Sequence, residues 1–328
     1  MGQDMPISLA RASLSLCVIL ASASVAVAQP PKSRGPLSPA QARTVALQVA
    51  LDRAGFSPGE IDGAGGPNLK RALAAFAATH GVTLDPSGPK AAELLGGPLS
   101  EPLTQVVLTD ADLAGPFVDA IPTDLLAQAS LEALAYASPL EMIAERFHAS
   151  PRLLARLNPN VQIAPGATLV VPAVEPFVPP TQPGKRPPSR DAADRVVRIS
   201  EQAGGLEVRE GDRVLFFAPV TVGGVHDPLP VGEWKVTQVF DRPVFNYNPD
   251  LFWDADPSHA KAKIAPGPNN PVGLTWIGLD KEHYGIHGTP EPSRIGHVQS
   301  HGCIRLTNWD AVRVAGLVSE GTRVVLER

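Results

Sequence analysis

The fold and the chemistry of this chain are decided by residues 284–306, which read YGIHGTPEPSRIGHVQSHGCIRL. The run up to His287 is typical of a strand end, and the following loop is long enough to return Cys303 to that strand. A cysteine nucleophile needs a proton acceptor and groups that stabilise an oxyanion. Two histidines, His287 and His301, are candidate acceptors. The N–H groups of Gly302 and Cys303 are candidate oxyanion donors, and Arg305 adds a positive charge. The stretch therefore predicts a cysteine nucleophile.

The sequence around this stretch predicts a mainly β domain. From Arg195 onward, apolar and polar residues alternate in short runs that are typical of strands: VVRIS, LEVRE, RVLFFAPVTV, WKVTQVF, LTWIGL and TRVVLE. One helix is predicted from Trp309 to Val318, because Thr307 and Asp310 form a capping pattern. Cys303 is then expected just before a helix N-terminus, where the helix dipole would lower the pKa of its thiol.

Composition excludes several classes of protein. The chain has 328 residues, enough for two or three units. It has only two cysteines, Cys17 and Cys303, which excludes a disulfide framework and a cysteine-rich metal site. A formal net charge of -5 predicts no nucleic-acid partner.

The sequence alone leaves alternatives to a cysteine nucleophile and its base. The chemistry leaves open which histidine is the base, because His301 and Cys303 would share one face of an extended segment. A metal site is conceivable, but its candidate ligands lack paired spacing on a helix; they are His283, His287, His297 and His301. A serine triad at Ser300 lacks a nucleophile-elbow context. Cys303 as an inert buried residue is the remaining alternative.

A long loop is predicted over the site. Residues 241–268 contain too many Pro and Asp for a core strand, yet they carry four aromatic side chains. Two of these, Tyr247 and Trp253, are expected either to contact substrate or to anchor the loop.

The N-terminus predicts export. Residues 1–28 have the pattern of a cleavable signal peptide, with an apolar stretch ending in Ala26-Val27-Ala28. A retained membrane anchor is the alternative, but the stretch is interrupted by serines and short for a bilayer span. Leu16 fits poorly with lipid attachment at Cys17. The predicted location is the periplasm and cell wall.

Two small modules and a linker are predicted next. Residues 38–97 resemble a helical peptidoglycan-binding module, on the basis of Gly55-Phe56, Ile61-Asp62-Gly63, Phe76 and His80-Gly81. A helical module that only packs or spaces is the alternative. Residues 130–174 resemble a LysM glycan-binding module with αβ structure, on the basis of Leu157-Asn158-Pro159 and Pro165-Gly166. Residues 175–194 are proline-rich and predict a stiff linker.

The signature itself resembles a known family. His287-Gly288-Thr289 followed by Ser300-His301-Gly302-Cys303-Ile304-Arg305 is similar to the catalytic signature of the YkuD-type L,D-transpeptidases, and the segments at 230–234 and 267–273 add to the resemblance. It implies a multidomain chain whose catalytic domain, 195–328, is a β-sandwich with a short helix after the cysteine. It also implies Cys303 as the nucleophile and His287 as the base. Support is expected from Gly288, Ser300, His301, Gly302 and Arg305.

The resemblance implies an activity on peptidoglycan stem peptides. Cys303 would form a thioester, which an amine of a second stem would resolve into a 3-3 cross-link, or an amine of an envelope protein into a wall attachment. No metal or organic cofactor is implied. Glycan is an expected partner of the N-terminal modules, and carbapenem-type inhibitors are expected to bind. A carboxypeptidase or amidase that hydrolyses the same thioester is one alternative, and a non-catalytic wall-binding scaffold is another.

Overall fold

A nine-stranded sheet forms the core of the C-terminal part, and the prediction of a mainly β catalytic domain is confirmed. The computed structural model describes Met1 and residues 36–81, 93, 95, 101–189 and 191–328. The sheet contains β3 Gly184–Lys185, β4 Arg195–Ser200, β5 Gly205–Glu210, β6 Arg213–Pro219, β7 Gly232–Asp241, β10 Thr275–Leu279, β11 Gly285–His287, β12 Ile304–Arg305 and β13 Arg323–Glu327. Two smaller pairs of strands lie outside it: β1 Leu103–Val107 with β2 Thr168–Pro172, and β8 Phe245–Tyr247 with β9 Ala262–Ile264.

Strand β7 joins the two halves of this sheet. The strand order is β12-β11-β10-β7-β13-β4-β5-β6, with β3 also on β7. The first residues of β7 pair with β13, where Trp234 faces Val324, and the later ones pair with β10, where Phe240 faces Trp276. Both halves bury side chains in one apolar core. The predicted sandwich is therefore built from one sheet whose halves share a strand.

The helix after the cysteine is α6, Asn308–Leu317, one residue earlier than predicted at each end. Thr307 is its N-cap: its hydroxyl accepts from the N–H of Asp310 at 3.2 Å and donates to the carboxylate of that residue at 2.7 Å. The buried face of the helix includes Ala311 and Val314 and belongs to the same core as the sheet. Helix α6 thus fixes the end of the segment that carries Cys303.

The first N-terminal segment packs against the catalytic domain. Its helices are α1 Pro39–Arg53 and α2 Pro67–His80, and Phe56 shares an apolar cluster with Phe217 of β6. Buried Ser57 donates a hydrogen bond to Asp310 of α6 at 3.0 Å. The described residues from 36 to 328 accordingly belong to one compact unit. The predicted signal peptide beyond Met1, and part of the C-terminal end of the first module, lie outside the described residues.

The second segment starts earlier than the sequence predicted. Helices α4 Pro139–Arg146 and α5 Pro151–Leu157 precede β2, as expected, but the strand that pairs with β2 is β1, well ahead of residue 130. Leu169 and Val171 of β2 are buried in the cluster of this segment, which β1 and Leu108 help to cover. Residues 108–138 form an insertion that includes α3, Leu125–Ala129.

The proline-rich segment is attached to the catalytic domain and does not separate it from the modules. Phe177 packs against Leu274 and Trp309, and β3 pairs with the end of β7. Arg186 then forms an ion pair with Asp241 at 2.7 Å. The segment was predicted as a stiff linker, and its attachment is a correction to that prediction; Gly184 and Lys185, unlike the surrounding prolines, have N–H groups for pairing. Within the described ranges, no helix is long and apolar enough to span a bilayer.

Candidate active site

Two short parallel strands bring the cysteine and the histidine together. In the pairing of β11 with β12, Ile286 lies opposite Ile304 and His287 lies opposite Arg305. One residue back, the same register sets Cys303 beside Gly285. Because side chains alternate along a strand, Cys303 and Arg305 share the face of His287, while both isoleucines enter the core.

The thiol of Cys303 is held against the backbone of β11 and the turn before it. Its sulfur lies 3.6 Å from the carbonyl oxygen of His283. Burial raises the pKa of the Cys303 thiol, and Asp227 raises it further, although the N–H of Gly285 and the charge of Arg305 act in the opposite direction. The expected lowering by a helix N-terminus is wrong. Helix α6 begins only at Asn308, and its first turn is already capped by Thr307.

His287 is a neutral imidazole in a fixed orientation. Its Nδ1 lies 2.7 Å from the carbonyl oxygen of Gly288, and the ring of Trp276 stacks on it with centroids 5.5 Å apart. A carbonyl only accepts hydrogen bonds, so Nδ1 carries the proton and Nε2 has a free lone pair. Burial, followed by the nearby charge of Arg305, lowers the pKa of His287 to about 3. The ring is therefore neutral at any pH well above that value.

These two pKa shifts describe a neutral pair. A raised thiol pKa favours the protonated form of Cys303, and a lowered imidazole pKa favours the neutral form of His287, so both shifts favour a neutral resting pair over a thiolate–imidazolium ion pair. A thiol of this kind is activated only when the base removes its proton during attack. The arrangement can therefore perform general-base-assisted acyl transfer.

Alkylation of Cys303 by iodoacetamide is expected to reveal this state. Because the thiol pKa is raised, the thiolate fraction should still climb about tenfold per pH unit between about pH 7 and 9. The measurement is the alkylation rate at each pH, with peptide mapping to separate Cys303 from Cys17 and the Cys303→Ala variant as background. A rate that levels off below pH 7 would show an ion pair instead.

Gly302 is required by the geometry next to the thiol. Its φ is +96°, and a Cβ at this position would lie 2.9 Å from the ring of Tyr284. On its other side, Ser300 donates a hydrogen bond to the carbonyl of Cys303 at 2.6 Å. The positive φ of Gly302 and the hydrogen bond from Ser300 together fix the backbone that carries Cys303.

Arg305 provides positive charge beside both reacting groups. Its backbone pairs with Thr221, with N–H to carbonyl distances of 2.8 and 3.0 Å. Its Nε is buried and has no hydrogen-bond partner among the described residues. The backbone of Arg305 is thus fixed, and Nε of its guanidinium remains available to donate a hydrogen bond to a negatively charged group.

His301 is bonded to the loop over the site. Its Nε2 lies 2.8 Å from Asp254, and its ring packs against Phe252 and Trp253. His301 thus has a partner in this loop, whereas the ring of His287 is held by the carbonyl of Gly288. Asp254 is a contact that sequence reasoning missed, because nothing local connects position 254 with position 301.

The predicted loop is a flap built on β8 and β9. Tyr247 is buried, and its hydroxyl lies 3.0 Å from Nδ1 of His259, whose Nε2 is 3.1 Å from Asp124 of the 108–138 insertion. Tyr247 therefore anchors the flap. Trp253 remains 61% exposed and stacks on His226 with centroids 4.2 Å apart. Of the two predicted aromatics, only Trp253 is available to a substrate.

Asn308 organises the end of the histidine strand, and sequence reasoning missed it. Its Oδ1 accepts from the N–H of Leu274 at 3.1 Å, and its amide donates to the carbonyl of Pro268 at 3.0 Å. A Cβ on Gly273 or Gly288 would lie 2.1 or 2.2 Å from that Oδ1. The 267–273 segment and the Gly288 turn are thus held together by one side chain, whose position after a helix cap gives no signal of this role.

The histidines considered for a metal site are not gathered together. In the described part of the chain, no group of three or more His, Cys, Asp or Glu side chains is placed to hold a metal ion. His283 pairs with its neighbour Glu282 at 3.4 Å, and His301 pairs with Asp254.

Comparisons with known proteins agree on the catalytic part. The family profile of the YkuD L,D-transpeptidase catalytic domain matches residues 194–326. A YkuD protein of Bacillus licheniformis, named as an L,D-transpeptidase, is 30% identical over 188 residues, which is 56% of this chain and 91% of the relative. YqjB of Bacillus subtilis, with the same named activity, is 31% identical over 139 residues, which is 40% of this chain and 71% of the relative. A solved structure of L,D-transpeptidase 3 from Mycobacterium tuberculosis, in complex with a faropenem-derived adduct, is 16% identical with a TM-score of 0.34, covering 52% of this chain and 77% of that one.

Proposed function

The chain belongs to the YkuD-type L,D-transpeptidase family, a family of peptidoglycan-modifying acyltransferases, and we propose that it transfers stem peptides through a thioester on Cys303. The observation that carries the proposal is the neutral His287, whose Nδ1 proton is held by Gly288 while its Nε2 lone pair remains free. Such a base serves a protonated thiol, which is the state in which burial keeps Cys303.

The first half of the reaction forms the acyl-enzyme. The sulfur of Cys303 attacks the carbonyl carbon of the third residue of a donor stem peptide, and Nε2 of His287 takes the thiol proton. The N–H groups of Gly302 and Cys303, with the charge of Arg305, stabilise the oxyanion. The C–N bond to the terminal D-Ala then breaks, and His287 returns the proton to the departing amine.

The second half releases the product. An acceptor amine attacks the thioester carbonyl and gives its proton to His287. The C–S bond breaks, the new amide leaves, and His287 reprotonates the sulfur. When the acceptor is an amine of a neighbouring stem, the product is a 3-3 cross-link; when it is an amine of an envelope protein, that protein becomes attached to the wall. Carbapenem-type compounds would inhibit by acylating the same sulfur.

The N-terminal part of the chain is proposed to bring the catalytic domain to the cell wall. Residues 1–28 direct export to the periplasm and cell wall, and the two modules bind peptidoglycan. Peptidoglycan, the proposed substrate, is present where the exported protein would act. Packing of the modules on the catalytic domain keeps the active site close to bound wall material.

Incubation with purified muropeptides that carry tetrapeptide stems tests the proposal. Products analysed by mass spectrometry are expected to include dimers that have lost one D-Ala, and the Cys303→Ala variant is expected to give none. Tripeptide monomers alone would replace the proposal with hydrolysis by a carboxypeptidase. Absence of any product, with binding to wall material retained, would leave a non-catalytic scaffold.

A further inference from the structure

A second cavity lies outside the thiol site, where the N-terminal modules meet the catalytic domain. Its volume is about 260 Å³, and it is partly open to solvent. Helix α4, the start of α5 and the loop at 290–293 form its walls. Several of the wall residues are apolar: Ala144, Ala149, Pro151, Pro290 and Pro292.

Two residues that line this cavity each have a buried polar atom without a hydrogen-bond partner, one an oxygen and the other a nitrogen. They are Oε1 of Glu145, on a residue 8% exposed, and Nε1 of Trp309, on a residue 3% exposed. Buried polar groups in folded proteins are nearly always hydrogen-bonded, because an unmade bond costs folding free energy. An indole N–H only donates, and an ionised carboxylate only accepts. A ligand that satisfies both must present a donor next to an acceptor.

The acidic residues of the cavity walls favour a ligand whose hydrogen-bond donor is positively charged. Four glutamates line the cavity, and no Lys, Arg or His of the described residues does so. Glu291 is already paired with Arg294 at 3.0 Å, and Glu141 accepts from Asn269 at 2.9 Å. Glu145 has hydrogen bonds with Asn308 and Tyr136, which leave its Oε1 without a partner, so the carboxyl oxygens left for a ligand are this Oε1 and those of Glu60.

Burial disfavours the ionised form of these two carboxyls while the cavity holds no ligand. Desolvation raises the pKa of Glu60 to about 7 and that of Glu145 to about 8. A cation beside a carboxyl favours its ionised form and lowers its pKa, which opposes the effect of burial. The described residues provide no cluster for a metal ion, so an organic cation fits better.

We propose that this cavity binds a peptide carrying a free primary amine on an aliphatic side chain. The ammonium lies against Glu145 and Glu60, the methylene chain lies along the proline and alanine walls, and a peptide carbonyl accepts from Nε1 of Trp309. Resting on the proposed function, the ligand of this class that the protein meets is a stem peptide with an unlinked side-chain amine. The site is separate from Cys303 and would hold wall peptide against the catalytic domain.

Nuclear magnetic resonance of the indole N–H groups tests the proposal directly. The chain has four tryptophans, and the signal of Trp309 is identified by its loss in Trp309→Phe. The probe is Nα-acetyl-lysine amide, and the matched control is the same compound acetylated on its side-chain amine. The lysine probe is expected to shift the Trp309 signal and to bind about 10- to 100-fold more tightly than the acetylated one, as a charge-assisted contact requires.

A pair of variants then locates the ammonium. Glu145→Gln is expected to weaken binding of the lysine probe by about tenfold or more, whereas Glu291→Gln, on the same wall but already paired with Arg294, should change it less than about threefold. Equal affinity for both probes, no shift at Trp309, or equal losses in the two variants would overturn the proposal. The comparison of the two probes is made on the wild-type chain, and only the assignment of the Trp309 signal uses a variant. Binding is measured without acylation, so a failure here is distinct from a failure in the muropeptide assay.

Discussion

Replacing Cys303 by Ala is expected to abolish covalent labelling by a carbapenem. The sulfur is the only thiol among the described residues, and Cys303 lies one residue before the strand that pairs with the strand of His287. No other group near His287 has comparable nucleophilicity, so the loss should be complete within the detection limit of intact-mass spectrometry. Peptide mapping of the wild-type adduct should place the added mass on the peptide that contains Cys303.

Cys303→Ser is the matched control for this experiment. It keeps the side-chain shape and a hydroxyl near His287, but an alcohol is a far weaker nucleophile than a thiol at neutral pH. A folded Ser variant with a trace of slow labelling would therefore agree with the assignment. An adduct of normal yield in Cys303→Ala would contradict it and would point to a different nucleophile.

His287→Gln is expected to lower the rate of acylation by about 10²- to 10⁴-fold, the usual contribution of a general base. The reason is the raised pKa of the thiol: its proton must be removed during attack, and His287 is the group proposed to take it. Acylation is measured by stopped-flow with a carbapenem, at a concentration at which binding does not limit the rate.

His301→Gln is the comparison that separates the two histidines. Its Nε2 contacts Asp254 of the flap, so the variant is expected to lose about tenfold or less, mainly through weaker positioning of the flap. Near-normal acylation in His287→Gln, with a large loss in His301→Gln, would reverse the assignment of the base. Thermal unfolding of both variants shows whether either loss comes from unfolding.

Local patterns predicted the parts of this fold that depend on neighbouring residues. Alternation of apolar and polar residues indicated the strands after Arg195, and the capping pair Thr307 and Asp310 indicated helix α6 within one residue at each end. The signature around His287 and Cys303 likewise lies in two short segments of one loop. Each of these signals acts over a few residues, so it is readable without knowledge of the rest of the chain.

Contacts between distant segments could not be predicted in this way. The strand β1 that pairs with β2, the β3 pair that attaches the proline-rich segment, and the Asp124–His259 contact that anchors the flap all join residues far apart in sequence. Such pairs leave no local pattern, because either partner is compatible with many surroundings.

The residue types needed for cysteine acyl transfer, their order and the strands that carry them were thus present in the sequence, since strand alternation and turn chemistry act locally. The protonation states of those residues were decided by the folded structure. Burial raises the pKa of Cys303 and lowers that of His287, which reverses the expectation from the helix dipole. Desolvation depends on every segment that packs around a group, and only the assembled fold brings those segments together.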